Sequence, residues 1–324
     1  MSQPDRLPPL SRAAGSREAL PLSVVTLPGY AVPGRAEPRP ARAYRWNMDT
    51  ARPALPALLP ALSPSRAADF LQCPLLYRFR VIDRIPEKPS SAALRGTLVH
   101  AVLERLFELP AEARTPRTAR SLVDPQWERL RTSRPESGQL FAGEGAEDLD
   151  AWLESARSLV ERYFDMERPE NLEPRDRELR LDVTLESGLR LRGYVDRLDV
   201  APAGQIRVVD YKTGKSPKPR YEDKAKFQIF FYGVMLWREL GEVPTRLQLM
   251  YLADGVTRWY DPTEQELRAA EAEILAIWHD IEATARSGEW RPRRTPLCGW
   301  CDHQAICPEF GGTPPPLPEI TPRR

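Results

Sequence analysis

The stretch that decides the fold runs from Glu178 to Ser216, "ELRLDVTLESGLRLRGYVDRLDVAPAGQIRVVDYKTGKS". Its first part alternates, with Leu179, Leu181, Val183 and Leu185 on one side, the period of a half-buried strand. Ser187-Gly188 is a short turn, "LRLRGYVDRLDV" returns as a second strand, and Ala201-Pro-Ala-Gly204 leads into a third, "IRVVDYKTG". Three strands joined by short hairpins make a β-meander. The last residues, Gly214-Lys215-Ser216, look like the tail of a nucleotide-binding P-loop. That motif also needs a glycine at position 209, where the loop begins to wrap phosphate with its N–H groups, and the residue there is Val209. Pro217 and Pro219 then stand where the phosphate-binding helix should start. The P-loop reading fails, and Asp210-x-Lys212 at the strand end is left to explain.

Helical periodicity surrounds the meander. Ser63-Pro-Ser65 reads as a cap for a helix through "RAADFLQCPLLYRF", with Phe70, Leu71 and Leu75 on its apolar side. A second helix is predicted over Ser91–Leu109, with Leu94, Leu98, Val102, Leu106 and Leu109 along one face, and a third over Asp148–Met166 after a polar connection. Beyond the meander come a long helix, "KAKFQIFFYGVMLWREL", a strand pair around "RLQLMYLADG" and "VTRWYD", and a last helix opened by the capping box Thr263-x-x-Glu266 and running to about Gly288. Helices on both sides of a central sheet predict an α/β sandwich.

The ends differ from the middle. Residues 1–64 hold twelve of the 34 prolines with no sustained period, a composition that cannot bury a core. A disordered leader over 1–62, a folded domain over 63–310 and a flexible tail over 311–324 are expected, with Met48 as an alternative start. The 47 basic and 46 acidic residues nearly cancel, so global charge does not advertise a nucleic-acid binder. The lysines are uneven, however: five of the six (Lys212, Lys215, Lys218, Lys224 and Lys226) fall between 212 and 226. With neither a signal-peptide pattern nor an apolar run long enough to span a bilayer, the expected location is cytoplasmic, and no membrane partner is expected. In that compartment cysteines serve metals or clusters more often than structural disulfides.

Alternation along a strand puts Asp210 and Lys212 on one face, with Asp196 able to join them from the neighbouring strand. Two carboxylates at strand ends suit Mg²⁺, and a lysine beside them supplies positive charge near a water or phosphate. The plainer reading makes these acids strand-end residues paired with Arg192 or Arg197. Gln228 and Tyr232 lie at i and i+4 on the following helix and share a face; solvation for the one and packing for the other is the bland account. His100 in "GTLVH" is one of three histidines and, alone on an apolar helix, reads first as a satisfied core residue.

Taken together, Gly96-Thr-Leu-Val-His100, Gly193-Tyr-Val-Asp196, Asp210-Tyr-Lys212 and Gln228-x-x-x-Tyr232 resemble, in order, the motif set of the RecB-like branch of the PD-(D/E)XK nucleases. The resemblance covers about Ser63 to Pro308 and implies a restriction-endonuclease-like core, a central mixed sheet flanked by helices. It implies that His100, Asp196 and Asp210, with the backbone carbonyl of Tyr211, bind Mg²⁺ or Mn²⁺. Lys212 would act on the attacking water or the transition state, and Gln228 and Tyr232 would support the site. Glu178 is a candidate for the family's further upstream acid. Lys215, Lys218, Lys224 and Lys226 become candidates for DNA contact along a phosphate-tracking groove.

Cys298-x2-Cys301-x5-Cys307 lies near the C-terminus and Cys73 far upstream. Chemically the four fit a zinc site, with His303 as a mixed alternative, a [4Fe–4S] cluster, or a reactive CxxC pair with two bystanders. One cysteine before the nuclease motifs and three after resembles the iron–sulfur staple of AddB-type helicase-nuclease subunits, which implies a [4Fe–4S] cluster tying the two ends of the domain together. On these resemblances the expected function is a Mg²⁺-dependent DNA exonuclease acting on ends or single strands in DNA repair or processing, with any helicase or ATPase supplied in trans. The alternative is a non-catalytic iron–sulfur DNA-binding module supporting a helicase or repair complex.

Overall fold

Proline and glycine set where the helices break. The computed structural model describes residues 59, 61–219 and 222–318. The expected leader over 1–62, Met48 included, lies outside the described residues except for 59, 61 and 62, and the expected tail is described through residue 318. Helix α1 (Pro64–Gln72) starts under the Ser63 cap, whose hydroxyl accepts from the Arg66 amide. The single helix expected through "RAADFLQCPLLYRF" does not form. Pro74 has no amide hydrogen and pushes the residue before it out of the helical region, so Cys73 is extended at φ −164°. The chain resumes as α2 (Pro74–Tyr77), which winds into a π-helical turn at Arg78–Ile82. Leu71, expected on the apolar side, is exposed, because α1 buries the Ala67–Phe70 face instead.

Helix α3 (Ser91–Leu106) buries Leu94, Leu98, Val102 and Leu106 as its period requires, and stops short of Leu109, which precedes Pro110. The connection expected to be merely polar contributes two more helices, α4 (Pro116–Ser121) and α5 (Val123–Ser133), before α6 (Leu149–Met166) begins at its Asp148 cap. These two bury only Ala119, Val123, Gln126 and Trp127, too few positions to give a readable period. Trp127, Phe141 and Trp152 meet edge to face and fix this lobe on α3 and α6.

The meander is present as β1 (Asp176–Thr184), β2 (Arg190–Val200) and β3 (Ile206–Lys212). Helix α7 (Asp223–Leu240) then carries the chain to β4 (Arg246–Tyr251), parallel to β3, and β5 (Val256–Tyr260) turns back antiparallel. The result is a mixed sheet in the order β1-β2-β3-β4-β5. Helix α8 (Glu264–Ser287) has the full capping box at Thr263 and Glu266 and ends on Gly288 in the left-handed conformation.

Alternation divides the sheet residues between two cores. Leu198, Ile206, Val208 and Leu249 pack with α1, α7 and α8, whereas Val209, Tyr211 and Met250 pack with α3 through α6. The fold is therefore an α/β/α sandwich of restriction-endonuclease-like form. After α8 the chain returns to the first helices, where Trp290 stacks on Tyr77 and Arg78 donates to the carbonyl of Pro315. No helix among the described residues is long and apolar enough to cross a membrane.

Candidate metal centre

Strand register lines up the acids. The pairs Arg177↔Arg197 and Leu179↔Val195 set Glu178 opposite Asp196, and Arg197↔Val209, continued by one residue, sets Asp196 opposite Asp210. Directly opposed residues share a face, so three carboxylates form a row across β1, β2 and β3. Glu178 interrupts its own strand with φ of 44°, a left-handed conformation that costs a non-glycine residue about 1–2 kcal/mol. Strain of this kind persists only where surrounding structure imposes it.

His100 reaches the row from α3. Its Nε2 lies 3.0 Å from the carbonyl of Tyr211, and its Nδ1 lies 3.4 Å from Asp196 Oδ1 and 3.8 Å from Glu178 Oε1. The second Asp196 oxygen accepts from the Tyr211 amide at 2.6 Å. Ligand atoms of His100, Glu178 and Asp196 all fall within 4.8 Å of one another. Burial opposes a charged imidazole here, but the Asp196 and Glu178 carboxylates outweigh it and raise the His100 pKa to about 10. A proton on His100 thus fills the place between carboxylates that a divalent cation would take.

Asp210 is buried, which pushes its pKa up to about 6 despite the Lys212 ammonium, and Asp196 adds to the rise. Lys212 Nζ lies 2.7 Å from Asp210 Oδ2, off the direction of a good hydrogen bond, so that buried oxygen has no hydrogen-bond partner. From α7, Gln228 holds both residues: its carbonyl accepts from Lys212 at 2.8 Å and its amide donates to Asp210 Oδ1 at 3.3 Å. An unsatisfied buried carboxylate oxygen, two further carboxylates, an imidazole and a backbone carbonyl make a donor set that fits Mg²⁺ or Mn²⁺. The plainer pairing is not found. Arg192 bonds Asp182, and Arg197 points to the opposite face toward Glu167 and Asp199.

The glycines of the two motifs have steric reasons. A Cβ on Gly193 would sit 2.8 Å from Tyr232 Cε1, so the strand carrying Asp196 passes under the Tyr232 ring only without a side chain. A Cβ on Gly96 would come 3.3 Å from Thr213 Oγ1, so Gly96 lets α3 approach the exit of β3. An open cleft of about 510 Å³ leads away from the site between α3 and that exit, lined by Gly96, Thr97, His100, Lys212, Thr213 and Lys215. Of the other lysines, Lys218 is exposed further along the same loop. Lys224 and Lys226 begin α7, and the Lys226 ammonium lies over the Phe230 and Tyr260 rings rather than in the cleft.

Where the C-terminal segment meets the first helices, the four cysteines line one small cavity of about 30 Å³, and all four are free of disulfides. Pro74 explains how Cys73 gets there, since the extended residue turns its side chain out of the helix. The amides of Arg293 and Thr295 approach the Cys73 and Cys298 sulfurs at 3.3 Å each. Burial, reinforced by the neighbouring sulfurs, raises the Cys301 and Cys307 thiols above their ordinary value.

The sequence profile of the PD-(D/E)XK nuclease superfamily matches residues 61–308. The chain belongs to that superfamily. Among known proteins it is similar to the Gene 69 protein of Mycobacterium phage L5, 26% identical over 293 residues, and to that of phage D29, 25% identical over 293 residues. Each alignment covers 78% of this chain and 98% of the phage protein. A solved structure from Eubacterium rectale, provisionally named an exonuclease, superposes with a TM-score of 0.51 at 18% identity, over 75% of this chain and 87% of that one. At that identity the likeness concerns the fold.

Within this PD-(D/E)XK chain His100 and Asp196 cluster with Glu178, while Asp210, opposite Asp196 in register, is bonded by Lys212 and Gln228, with Tyr232 one helical turn beyond Gln228. Glu178, only a candidate from sequence, joins them through strand register. Arg197, read from sequence as a possible ion-pair partner of the two aspartates, is instead almost completely buried on the opposite face, behind the site. The available signal was its position beside Asp196 in a strand whose neighbours alternate between faces.

Proposed function

We propose that the protein is a Mg²⁺- or Mn²⁺-dependent deoxyribonuclease of RecB type that hydrolyses phosphodiester bonds at DNA ends or in single strands. The observation that carries this reading is the convergence of His100, Glu178 and Asp196 within 4.8 Å, next to the Asp210–Lys212–Gln228 triangle. His100, Asp196, Asp210 and the Tyr211 carbonyl would hold the cation, with Glu178 as a further carboxylate. A cation bound there would supply a water of lowered pKa and offset negative charge on the phosphate.

The chain's own residues do the rest. Lys212 lines the cleft with its ammonium fixed between Asp210 and Gln228, where it can face the attacking water or a phosphate oxygen. Gln228 bonds both members of the Lys212–Asp210 pair and so fixes the direction of the ammonium. Tyr232 packs over Gly193 and fixes the height of α7 above the strand carrying Asp196. Lys215 extends the positive wall of the cleft for a sugar–phosphate backbone. A role in DNA repair or processing, with unwinding supplied by a helicase partner, is the setting this reading implies.

The cysteine cavity is proposed to hold a [4Fe–4S] cluster through Cys73, Cys298, Cys301 and Cys307. Its support is the shared cavity and the amides directed at two sulfurs. The test is anaerobic purification with a visible spectrum and iron and zinc analysis, followed by digestion of end-labelled single-stranded DNA with Mg²⁺ or with chelator. Brown protein that digests DNA only with the metal supports the proposal. Colourless zinc protein would overturn the cluster, and digestion undiminished by chelator would overturn the metal centre.

A further inference from the structure

Tyr211 is the point at which the candidate metal centre is tied to the rest of the protein. Its amide donates to Asp196 and its carbonyl meets His100, so two of the proposed ligands are held by its backbone. Its side chain points to the opposite face of the sheet, because it alternates with Asp210 and Lys212. There its hydroxyl accepts from Arg197 Nη1 at 2.7 Å, and the guanidinium lies 5.7 Å from the centre of its ring. The same Nη1 also donates to the Tyr163 hydroxyl at 3.1 Å, Nη2 donates to Glu167 and Asp199, and Nε donates to Asp199. Every N–H of the fork has a partner. Arg207 shares Glu167 and Asp199 and completes a half-buried network of two cations and two anions around the buried Arg197.

A charge network of this kind is weak evidence for stability, since apolar residues of like volume often serve as well. Its location is more informative. Arg197 follows Asp196 on β2 and pairs with Val209 on β3, directly behind the two carboxylates. We infer that Arg197 is a positioning residue for the metal centre, acting through the Tyr211 hydroxyl to fix the backbone that holds Asp196 and His100. The inference rests on the reading that these residues bind a divalent cation. Outer partners that orient ligands typically change metal affinity by about 10- to 100-fold when removed.

Replacing Arg197 outright leaves Glu167 and Asp199 short of a counter-charge, and such a variant can fail by misfolding. A cleaner pair is Tyr211→Phe and Tyr163→Phe. Each deletes one hydroxyl that accepts from Arg197 Nη1, but only Tyr211 has a backbone in the site; Tyr163 lies on α6. Mn²⁺ affinity, by calorimetry on full-length protein, and melting temperature would be measured for both and for wild type. The expected result is Mn²⁺ binding weakened about tenfold in Y211F and changed by less than about twofold in Y163F, with comparable losses of melting temperature. Unchanged affinity in Y211F, or equal weakening in both variants in step with their melting temperatures, would overturn the inference while leaving the metal reading intact. Wild-type protein that binds no Mn²⁺ would overturn both.

Discussion

Gly193→Ala inserts one methyl group between the strand carrying Asp196 and the helix carrying Gln228. The new Cβ would sit 2.8 Å from Tyr232 Cε1 and 3.4 Å from Met235 Sδ. Carbon atoms in good contact are about 3.5–4.0 Å apart, so the Tyr232 ring has to retreat by roughly 0.7–1.2 Å. It has little room, being 8% exposed and followed on the helix by Val234, Met235 and Leu236, all fully buried. Overpacking of this size costs about 1–3 kcal/mol. Alanine recovers about 0.5–1 kcal/mol over glycine in a strand, leaving a net loss of about 1.2 kcal/mol at the middle of these ranges. For a domain of this length that is a fall of roughly 2–5 °C in melting temperature. Thermal unfolding of G193A, and of G193A combined with Tyr232→Leu, measures it. The double variant opens space for the methyl group, so the alanine should cost almost nothing in that background. A wild-type melting temperature for G193A, or an equal cost in both backgrounds, would refute the steric account of the motif glycine.

Other perturbations separate stability from function at the same site. Glu178→Gly relieves a backbone at φ 44° and should raise the melting temperature while weakening Mn²⁺ binding; a fall in both would mean that the strain is not paid at that residue. Gln228→Ala removes the side chain that bonds both Lys212 and Asp210 and should lower kcat about tenfold or more with little change in KM for DNA, which steady-state kinetics resolves. At about pH 8 the proton on His100 must leave when metal binds, so calorimetry in buffers of different ionisation enthalpy should find about one proton released per metal. Metal affinity should fall again as the pH drops through about 6, because Asp210 then takes up a proton that competes with the cation. Without metal, the raised His100 pKa stabilises the fold fully below the ordinary histidine value, and that contribution is lost as pH rises through about 10. Cys73→Ser should lose iron and melt well below wild type, since it opens a loop that spans most of the domain; full iron content in the variant would contradict the proposed ligand set.

The sequence was most legible where local and global rules agree. Strand alternation in "ELRLDVTLE" and hairpin turns at Ser187-Gly188 and Ala201–Gly204 foretold the meander, and the same alternation put Asp210 beside Lys212. Register was not legible, because it depends on how the hairpins close, and register is what sets Glu178 opposite Asp196. Cys73 was legible as chemistry but not as structure until Pro74 was read as a helix break. Helices α4 and α5 escaped because each buries too few residues for a period to emerge. Arg197 was legible as an ion-pairing residue but its partners were not: tertiary packing brings Glu167, the cap of α6, to it, and alternation puts Asp199 rather than Asp196 on its face.

The acids and Lys212 are proposed to form a metal-dependent hydrolytic centre. Its most direct test is digestion of end-labelled single-stranded DNA in Mg²⁺ by wild type beside Asp210→Asn, which keeps the shape of the side chain and removes its charge. The expected result is steady degradation by wild type and none above background by the folded variant. Equal rates from the two proteins would contradict it.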